Sequence, residues 1–407
     1  MKIVVICHYF NPEICAPSSR IYEMACIWAK AGNEIHVVTC FPNHPTGIIP
    51  NEYKGLKYKH EMMEGIHIHR NYVYATPNKG FSKKTVGHLS FMLSSVLITM
   101  KKIKNPDVII TSSPTFFSIF SGYWYSLVKK APFVLEIRDL WPAAMIELGV
   151  MKKGALSDLL EKLELYFYKK SKLLVMVTQS FKDNVIKRGV DGNKIHVITN
   201  GVDQKYFHPK DKNQELIDKY KLRDKFVITY AGAHGISQNL GTILKAAKDL
   251  QNEKDMCFLL IGEGAQKKEL VFAAKENKID NIIFLDPKPK EMLSEFYSIS
   301  NVCLIPLKKI ELFKTFIPSK MFEIMSCGIP IVASVEGEAA DILNRSKAAL
   351  VVEPDNHVEI KQAIMRLKAD KNLYENLKVN GPSFISEYYL RESLAERYLD
   401  LISKSVG

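Results

Sequence analysis

No apolar run in this 407-residue chain is long enough to cross a bilayer: the two longest, around residues 89–100 and 116–128, are broken by Ser, Gly and Tyr. Met1-Lys2 leads straight into Ile3-Val4-Val5-Ile6-Cys7, which reads as a buried strand and not as the apolar core of a signal peptide. Cysteine is sparse and odd in number, seven in all without C-x-x-C spacing, which argues against a disulfide framework or a zinc site. Cys7, Cys40, Cys257 and Cys303 fall within apolar runs and are expected to be reduced core residues of a cytoplasmic protein. No H-E-x-x-H pattern occurs. His67-x-His69 is the one close histidine pair, and on a strand it reads as a solvated face, so no metal site is expected. Low-complexity segments are lacking, as are helix-turn-helix, RRM and zinc-finger signatures, so nucleic acid is not expected as a partner.

What is present is the composition of a soluble globular protein, 47% hydrophobic and 25% charged, with length for two cores. The net charge of +12 is uneven. Residues 1–205 hold 27 Lys and Arg against 16 Asp and Glu, whereas residues 206–407 hold 29 against 28. The first half also carries the pairs Lys83-Lys84, Lys101-Lys102, Lys129-Lys130, Lys152-Lys153 and Lys169-Lys170. Any one pair is explained by solubility alone, but the asymmetry points to an anionic partner such as a membrane surface or a lipid pyrophosphate.

Apolar strand candidates recur at 3–7, 35–40, 66–70, 108–111, 133–137, 173–177 and 195–198, and again at 226–230, 257–261, 282–285, 302–305, 331–333 and 349–351. Helical patterns such as 20–31 and 156–170 lie between them. Alternating strands and helices imply parallel sheets covered on both faces. The expected fold class is therefore α/β, with two doubly wound Rossmann-like domains, 1–205 and 206–382, facing a central cleft. A linker is expected near 200–212, and the amphipathic segment 383–407 is expected to pack back across both domains. Ligands of such sheets bind at the carboxyl ends of the strands.

The most informative stretch is Ile317-Pro318-Ser319-Lys320-Met321-Phe322-Glu323, which leads through Gly328 and Pro330 into Ile331-Val332-Ala333. It reads as a short helix capped by Ser319 and ended by Gly328, with Lys320 and Glu323 three apart on its first turn. A cation beside free N–H groups can hold a phosphate, and a carboxylate there can grip vicinal hydroxyls. A solvated surface pair is the plainer alternative. Tyr230-Ala231-Gly232-Ala233-His234-Gly235 follows the first strand of the second half, with Gln238-Asn239-Leu240 expected to open a helix. Glycines there let the backbone approach an anion, and Ile261-Gly262-Glu263-Gly264 is a second such turn.

In the first half, the loop Tyr9-Phe10-Asn11-Pro12-Glu13-Ile14-Cys15-Ala16-Pro17-Ser18-Ser19-Arg20 offers Ser18 or Ser19 as a helix cap and Arg20 in the first turn, positioned to reach a ligand. Phe41-Pro42-Asn43-His44-Pro45-Thr46-Gly47 leaves the second strand. Glu136-Ile137-Arg138-Asp139-Leu140-Trp141-Pro142 ends a buried strand, where Arg138 and Asp139 are either structural or a substrate clamp. Trp141 reads as packing.

In this order the motifs resemble a retaining glycosyltransferase of the GT-B fold, family 4, and within it the WbuB-like bacterial polysaccharide transferases. The matching pieces are Tyr9 to Arg20, Phe41 to Gly47, Arg138-Asp139-Leu140-Trp141-Pro142, Asn200-Gly201-Val202-Asp203, Tyr230-Ala231-Gly232, Pro318-Ser319-Lys320 with Phe322-Glu323, and Gly337-Glu338-Ala339-Ala340. The resemblance implies a UDP-sugar donor, no cofactor, no obligatory metal, and retention at the anomeric carbon. It implies a polyprenyl-pyrophosphate-linked saccharide as acceptor and a cytoplasmic protein held at the anionic inner face of a bacterial plasma membrane. It also suggests N-acetyl-L-fucosamine as the sugar, moved in capsule or O-antigen assembly. Under it the catalytic group is Arg138, Asp139, Lys320 and Glu323. The donor is held by Pro17, Ser18, Gly232, Gly235, Gln238, Asn239, Gly262, Gly264, Pro289, Ser319, Lys320 and Glu323, and the acceptor by Arg20, Asn43, His44, Arg138 and Asp139.

The chain departs from the family at three places. The first acid of its E-x7-E motif falls at Thr315, the usual Arg/Lys pair is missing from the turn 232–240, and Cys15-Ala16 stands for a glycine pair. Departure of UDP builds charge on the β-phosphate that helix dipoles and Lys320 would stabilise. Same-face attack, with the leaving phosphate taking the acceptor proton, accounts for the lack of an evident protein nucleophile. Two other readings stay open: a UDP-sugar 2-epimerase of the same architecture, and a non-catalytic partner in a polysaccharide assembly complex, the latter motivated by Thr315.

Overall fold

Eight strands form the sheet of the first unit: β1 (Lys2–Ile6), β2 (Glu34–Cys40), β3 (Tyr58–Met63), β4 (Ile66–Asn71), β5 (Val108–Ser112), β6 (Phe133–Ile137), β7 (Leu173–Met176) and β8 (Ile195–Val197). They lie in the order β3-β4-β2-β1-β5-β6-β7-β8, with β3 antiparallel to β4 and the other pairs parallel. The structure is a computed structural model that describes residues 1–13, 15–44, 46–77, 81–113, 115–147, 149 and 151–406, with 81 and 82 described in their backbone alone.

The central strands are apolar on both faces because helices cover both. Ile3 and Val5 of β1 pack with Trp28 and Tyr398, while Val4 and Ile6 pack with Phe91 and Tyr125 on the opposite side. β3 is the strand absent from the sequence expectation. Its residues Tyr-Lys-His-Glu-Met-Met form no apolar run and are half-buried or exposed, as an edge strand's are, and it is held by its register on β4.

The second unit holds β9 (Phe226–Ala231), β10 (Met256–Ile261), β11 (Ile282–Leu285), β12 (Val302–Pro306), β13 (Ile331–Ser334) and β14 (Ala349–Val352). Its order is β11-β10-β9-β12-β13-β14, all parallel. The order reverses between β9 and β12, and in the first unit between β1 and β5. A crevice outside the carboxyl ends at that point is where such sheets take ligands. Both units are thus doubly wound Rossmann-like folds.

The units comprise residues 1–199 with 391–407, and residues 200–390. The sequence reading put the first division at 205/206 and a separate last segment from 383. In the structure the helix Lys371–Tyr388 runs on through Pro382 and belongs to the second unit. Gly381 beside that proline lets the helix approach Met325, whose carbonyl oxygen would lie 2.6 Å from an added Cβ. The last helix, Arg391–Val406, belongs to the first unit, where the Trp28 indole donates to the carbonyl of Ala395 at 2.9 Å. Leu394, Tyr398 and Ile402 are buried there, each aliphatic side chain contributing about 1.5–3 kcal/mol.

Candidate functional site

In the second unit the site is built around the turn that follows β9. Gly232 has φ +150°, and a Cβ on it would lie 2.2 Å from Lys320 Nζ. The ammonium therefore occupies the space beside the glycine backbone. It also stands 4.2 Å from the centre of the Tyr230 ring, in a cation–π contact. Burial lowers the Lys320 pKa to about 8, with Glu323 pulling it back up. The amine is still mostly charged at neutral pH, and the negative charge of a phosphate arriving beside it would offset the cost of its burial.

The second glycine turn exists because of the first. A Cβ on Gly262 would come within 1.9 Å of the Gly232 carbonyl oxygen, and one on Gly264 within 2.4 Å of the His234 carbonyl oxygen. Gly232 N donates to Ile261 O, and His234 N donates to Glu263 O, each at 2.9 Å, so the two turns are locked together. His234 is fully buried beneath them, and neither of its ring nitrogens has a partner among the described residues. Burial, with Lys267 next, lowers its pKa to about 4, leaving a neutral imidazole. Its position between Gly232 and Gly235 was its only signal in the sequence.

Several expected details differ. Gln238 and Asn239 do not open a helix: Ile236–Gln238 is a 3₁₀ turn, Asn239 is left-handed at φ +41°, and the helix begins at Gly241. The Asn239 amide donates to Asp355 at 2.5 Å, so its side chain is committed within the protein. Gly235 closes on the Gln238 side chain, 3.0 Å from the position of its Cβ. Ser319 precedes the helix Lys320–Ser326 but has helical φ and ψ and makes no side-chain cap. Backbone bonds of Met321 to Pro318 and of Phe322 to Ser319 tighten this start instead. At seven residues the helix has a weak dipole, so most of the positive charge comes from Lys320. The Thr315 hydroxyl is spent on Leu312 O at 2.7 Å. Pro289 is exposed at the start of the helix Lys290–Ser298.

In the first unit the loop after β1 is organised by a residue that the sequence did not single out. Glu13 is buried, and its Oε1 accepts from the backbone N–H groups of Asn43 and His44 at 2.8 Å each, tying this loop to the one after β2. The helix Ala16–Lys30 has Cys15 at its N-cap, which places Pro17, Ser18 and Ser19 inside the first turn and not at the cap. Ser18 is buried, and Pro17 is half-buried.

Arg20 does not extend toward a ligand. It is 1% exposed, its Nε donates to Glu136 Oε1 at 2.7 Å, and Nη1 and Nη2 donate to the carbonyls of Thr199 and Ile198 at 2.6 and 2.8 Å. Glu136 also accepts from Ser112 Oγ at 2.6 Å. Burial pushes the Glu136 pKa up, but Arg20 and Arg138 outweigh it and hold the acid below its usual range. The sequence expectation failed here because the helical face carrying Arg20 turns inward onto the carboxyl end of β6.

Arg138 and Asp139 follow β6. Arg138 Nε and Nη1 are buried without partners among the described residues, and burial lowers its pKa to about 10 against the pull of Glu136. Burial raises Asp139 to about 6, opposed by Arg138. Unsatisfied guanidinium donors beside a carboxyl poised near neutrality are what a hydroxyl-binding clamp needs. Trp141 stacks on Phe116 at 4.8 Å, as packing.

His8, Tyr9, Asn43, His44, Lys84 and His88 line a pocket of this unit together with Lys83. Gly47 closes it at φ +73°, where a Cβ would meet Thr76 O at 1.9 Å. The His8 and His88 rings meet edge to face at 4.6 Å, and His8 Nδ1 is buried without a partner among the described residues. Burial, then the neighbouring imidazoles, depress His8, while burial and Lys84 bring His88 to about 4. Asn43 and His44 are thus brought together with His8 and His88, which no local pattern marked.

Comparison with known proteins agrees with this fold. The family described as Glycosyltransferase Family 4 matches residues 18–206, and Glycosyl transferases group 1 matches residues 212–384. The chain is a family 4 glycosyltransferase of the GT-B fold. It is 26% identical over 344 residues to WcaI of Escherichia coli (strain K12), named for glycosyl transfer in colanic acid biosynthesis, covering 83% of this chain and 84% of WcaI. It is 23% identical over 256 residues to CapM of Staphylococcus aureus, a capsular polysaccharide biosynthesis glycosyltransferase, covering 58% and 63%. Among solved structures, Anabaena HepE in complex with UDP and glucose superposes with TM-score 0.74 at 13% identity, over 99% of this chain and 100% of that one. WaaG, involved in lipopolysaccharide biosynthesis, gives 0.71 at 14%, over 98% and 99%. These two likenesses establish the fold of this glycosyltransferase.

Proposed function

We propose that this glycosyltransferase takes a sugar from a UDP-sugar, with retention and without a metal, and places it on a polyprenyl-pyrophosphate-linked saccharide during assembly of a bacterial surface polysaccharide such as capsule or O-antigen. The observation that carries the donor reading is the Lys320 ammonium lodged against Gly232 and the Tyr230 ring, with Glu323 three residues on. Negative charge that develops on the departing β-phosphate meets a fixed cation in a desolvated site, where it is worth most. Gly232 lets the Lys320 ammonium lie against the backbone and Gly262 lets the two turns close on each other, which fixes the cation that meets the diphosphate, and Glu323 grips the ribose hydroxyls.

The acceptor reading rests on the first unit. Lys83 and Lys84 supply positive charge for a pyrophosphate and the neutral His8–His44–His88 imidazoles supply N–H donors, while Arg138 with Asp139 orients sugar hydroxyls. Same-face attack then passes the acceptor proton to the leaving phosphate. Exposed Trp124, Leu127 and Val128 at the end of the helix Phe116–Lys129, with Leu93 and Leu97 exposed nearby in sequence on another helix, suit shallow contact with lipid. Adjacent lysines add roughly 1 kcal/mol each at an anionic surface. The cytoplasmic leaflet is the expected location. The polysaccharide setting follows the names of WcaI and CapM, and N-acetyl-L-fucosamine follows the family resemblance.

Calorimetric titration with UDP, GDP and ADP tests the donor site. UDP-selective binding is expected, weakened ten- to hundredfold by Lys320→Met, from the loss of about 1.5–3 kcal/mol of charge-assisted hydrogen bonding. Glu323→Ala is expected to weaken it as well. Binding indifferent to both substitutions rejects the site, and selective binding without turnover on any acceptor favours the non-catalytic reading.

A further inference from the structure

Four imidazoles share one face of the first sheet. His36 of β2 stands beside His67 of β4, and His60 of β3 stands opposite His69 of β4. Alternate residues of a strand share a face, so Glu34, His36, Tyr58, His60, His67 and His69 project together, away from Ile35, Ile66 and Ile68. The rings stack, His36 on His67 at 4.6 Å and 13°, and His60 on His67 at 5.4 Å and 14°. Glu34, His36 and His67 each offer a ligand atom, all within 4.8 Å of one another. His36 Nε2 lies 2.9 Å from Glu34 Oε1, and His60 Nε2 lies 3.2 Å from His67 Nδ1.

We propose that this cluster binds a divalent transition-metal ion of the zinc and nickel class, held by Glu34, His36 and His67 with water as the fourth ligand. A tetrahedron with metal–ligand bonds of about 2.0–2.1 Å has edges of about 3.3–3.4 Å, which side-chain rotation reaches from ligand atoms that already lie within 4.8 Å of one another. Neutral imidazoles with one carboxylate select zinc, nickel or copper over magnesium and calcium.

A supporting shell is also in place. His36 Nδ1 lies 3.0 Å from His69 Nε2, and His69 Nδ1 lies 2.8 Å from the Tyr58 hydroxyl. With metal on His36 Nε2, its Nδ1–H donates to His69, and His69 Nδ1–H donates to the Tyr58 oxygen, the relay that orients metal-bound histidines. With the proton on His36 Nε2 the same chain runs in reverse, so an ion taking that nitrogen shifts the tautomers of His36 and His69 and releases no proton from them. Lys2 Nζ, 3.1 Å from Glu34 Oε1, is the cation it would displace.

Glu34 opens β2 and Ile66 opens β4, which places the cluster at the amino ends of the strands. The residues proposed for transfer follow the carboxyl ends. The ion therefore staples β4 to β2 and takes no part in the transfer. The expectation of no metal site saw only one strand's two histidines, whereas the other ligands come from the neighbouring strand β2.

The test uses the full chain without an affinity tag, stripped by chelator and titrated with Zn²⁺, with Mg²⁺ as control and Co²⁺ as a visible probe. One Zn²⁺ per chain and a four-coordinate cobalt spectrum without thiolate charge transfer are expected. His67→Gln and Glu34→Gln should each weaken Zn²⁺ binding at least tenfold, and Tyr58→Phe about tenfold through the outer shell. Exposed His208→Gln should leave it unchanged. Glu34 is exposed, so its variant keeps the test valid if His67→Gln fails to fold. Lack of stoichiometric Zn²⁺ binding, a thiolate cobalt spectrum, or affinity indifferent to both ligand substitutions overturns the proposal.

Discussion

Replacing Arg20 by Met tests whether this residue belongs to the acceptor or to the core. The substitution keeps the aliphatic volume and removes the donors that reach Glu136, Thr199 and Ile198. Glu136, which has no exposed surface, would keep the Ser112 hydroxyl as a hydrogen-bond donor and the charge of Arg138 nearby. Breaking a buried ion pair from one side costs about 3–5 kcal/mol, because the remaining charge stays desolvated. Against a domain stability of about 5–15 kcal/mol, that is a large fraction. All three tryptophans, Trp28, Trp124 and Trp141, lie in the first unit, so their fluorescence reports its unfolding selectively. With a urea slope of about 3 kcal/mol/M, the midpoint should fall by about 1–2 M. The double variant Arg20→Met/Glu136→Leu should recover part of that loss, since an apolar pair removes the stranded carboxylate; the rest stays lost because Thr199 and Ile198 lack their donor, Ser112 its acceptor and Arg138 the neighbouring negative charge. A wild-type midpoint in Arg20→Met combined with weaker acceptor binding would refute the structural assignment and restore the ligand role.

Two further outcomes are expected. Asp139 has a folded pKa of about 6, above its unfolded value, so it binds a proton more readily in the folded state. The first unit should therefore lose stability as pH rises from about 4 through 6, and Asp139→Asn should flatten that part of the urea midpoint profile; an unchanged profile counts against the desolvated carboxyl. Gly262→Ala would put a methyl 1.9 Å from the Gly232 carbonyl oxygen at φ +150°. It should destabilise the second unit by about 1–3 kcal/mol and abolish UDP binding, measured by circular dichroism melts and calorimetry; wild-type behaviour in both would show that the turns are not interlocked.

The sequence by itself determined the apolar strand series, all but the edge strand β3, the two doubly wound sheets, and the glycines that must follow β9 and β10. These are local matters: short continuous apolar runs and positions where backbone conformation and close approach exclude a side chain. It also determined that Lys320 and Glu323 share a helical turn. Only the tertiary structure decided which partners those residues meet. Arg20 finds Glu136 across 116 positions, the histidines of β2, β3 and β4 converge by register, and His8 meets His88 through a loop and a helix. The last helix joins the first unit because Trp28 and Ala395 close on each other over 367 positions. Periodicity states which face a side chain occupies. What stands opposite that face is set by strand order and long-range closure, which no window of the sequence contains.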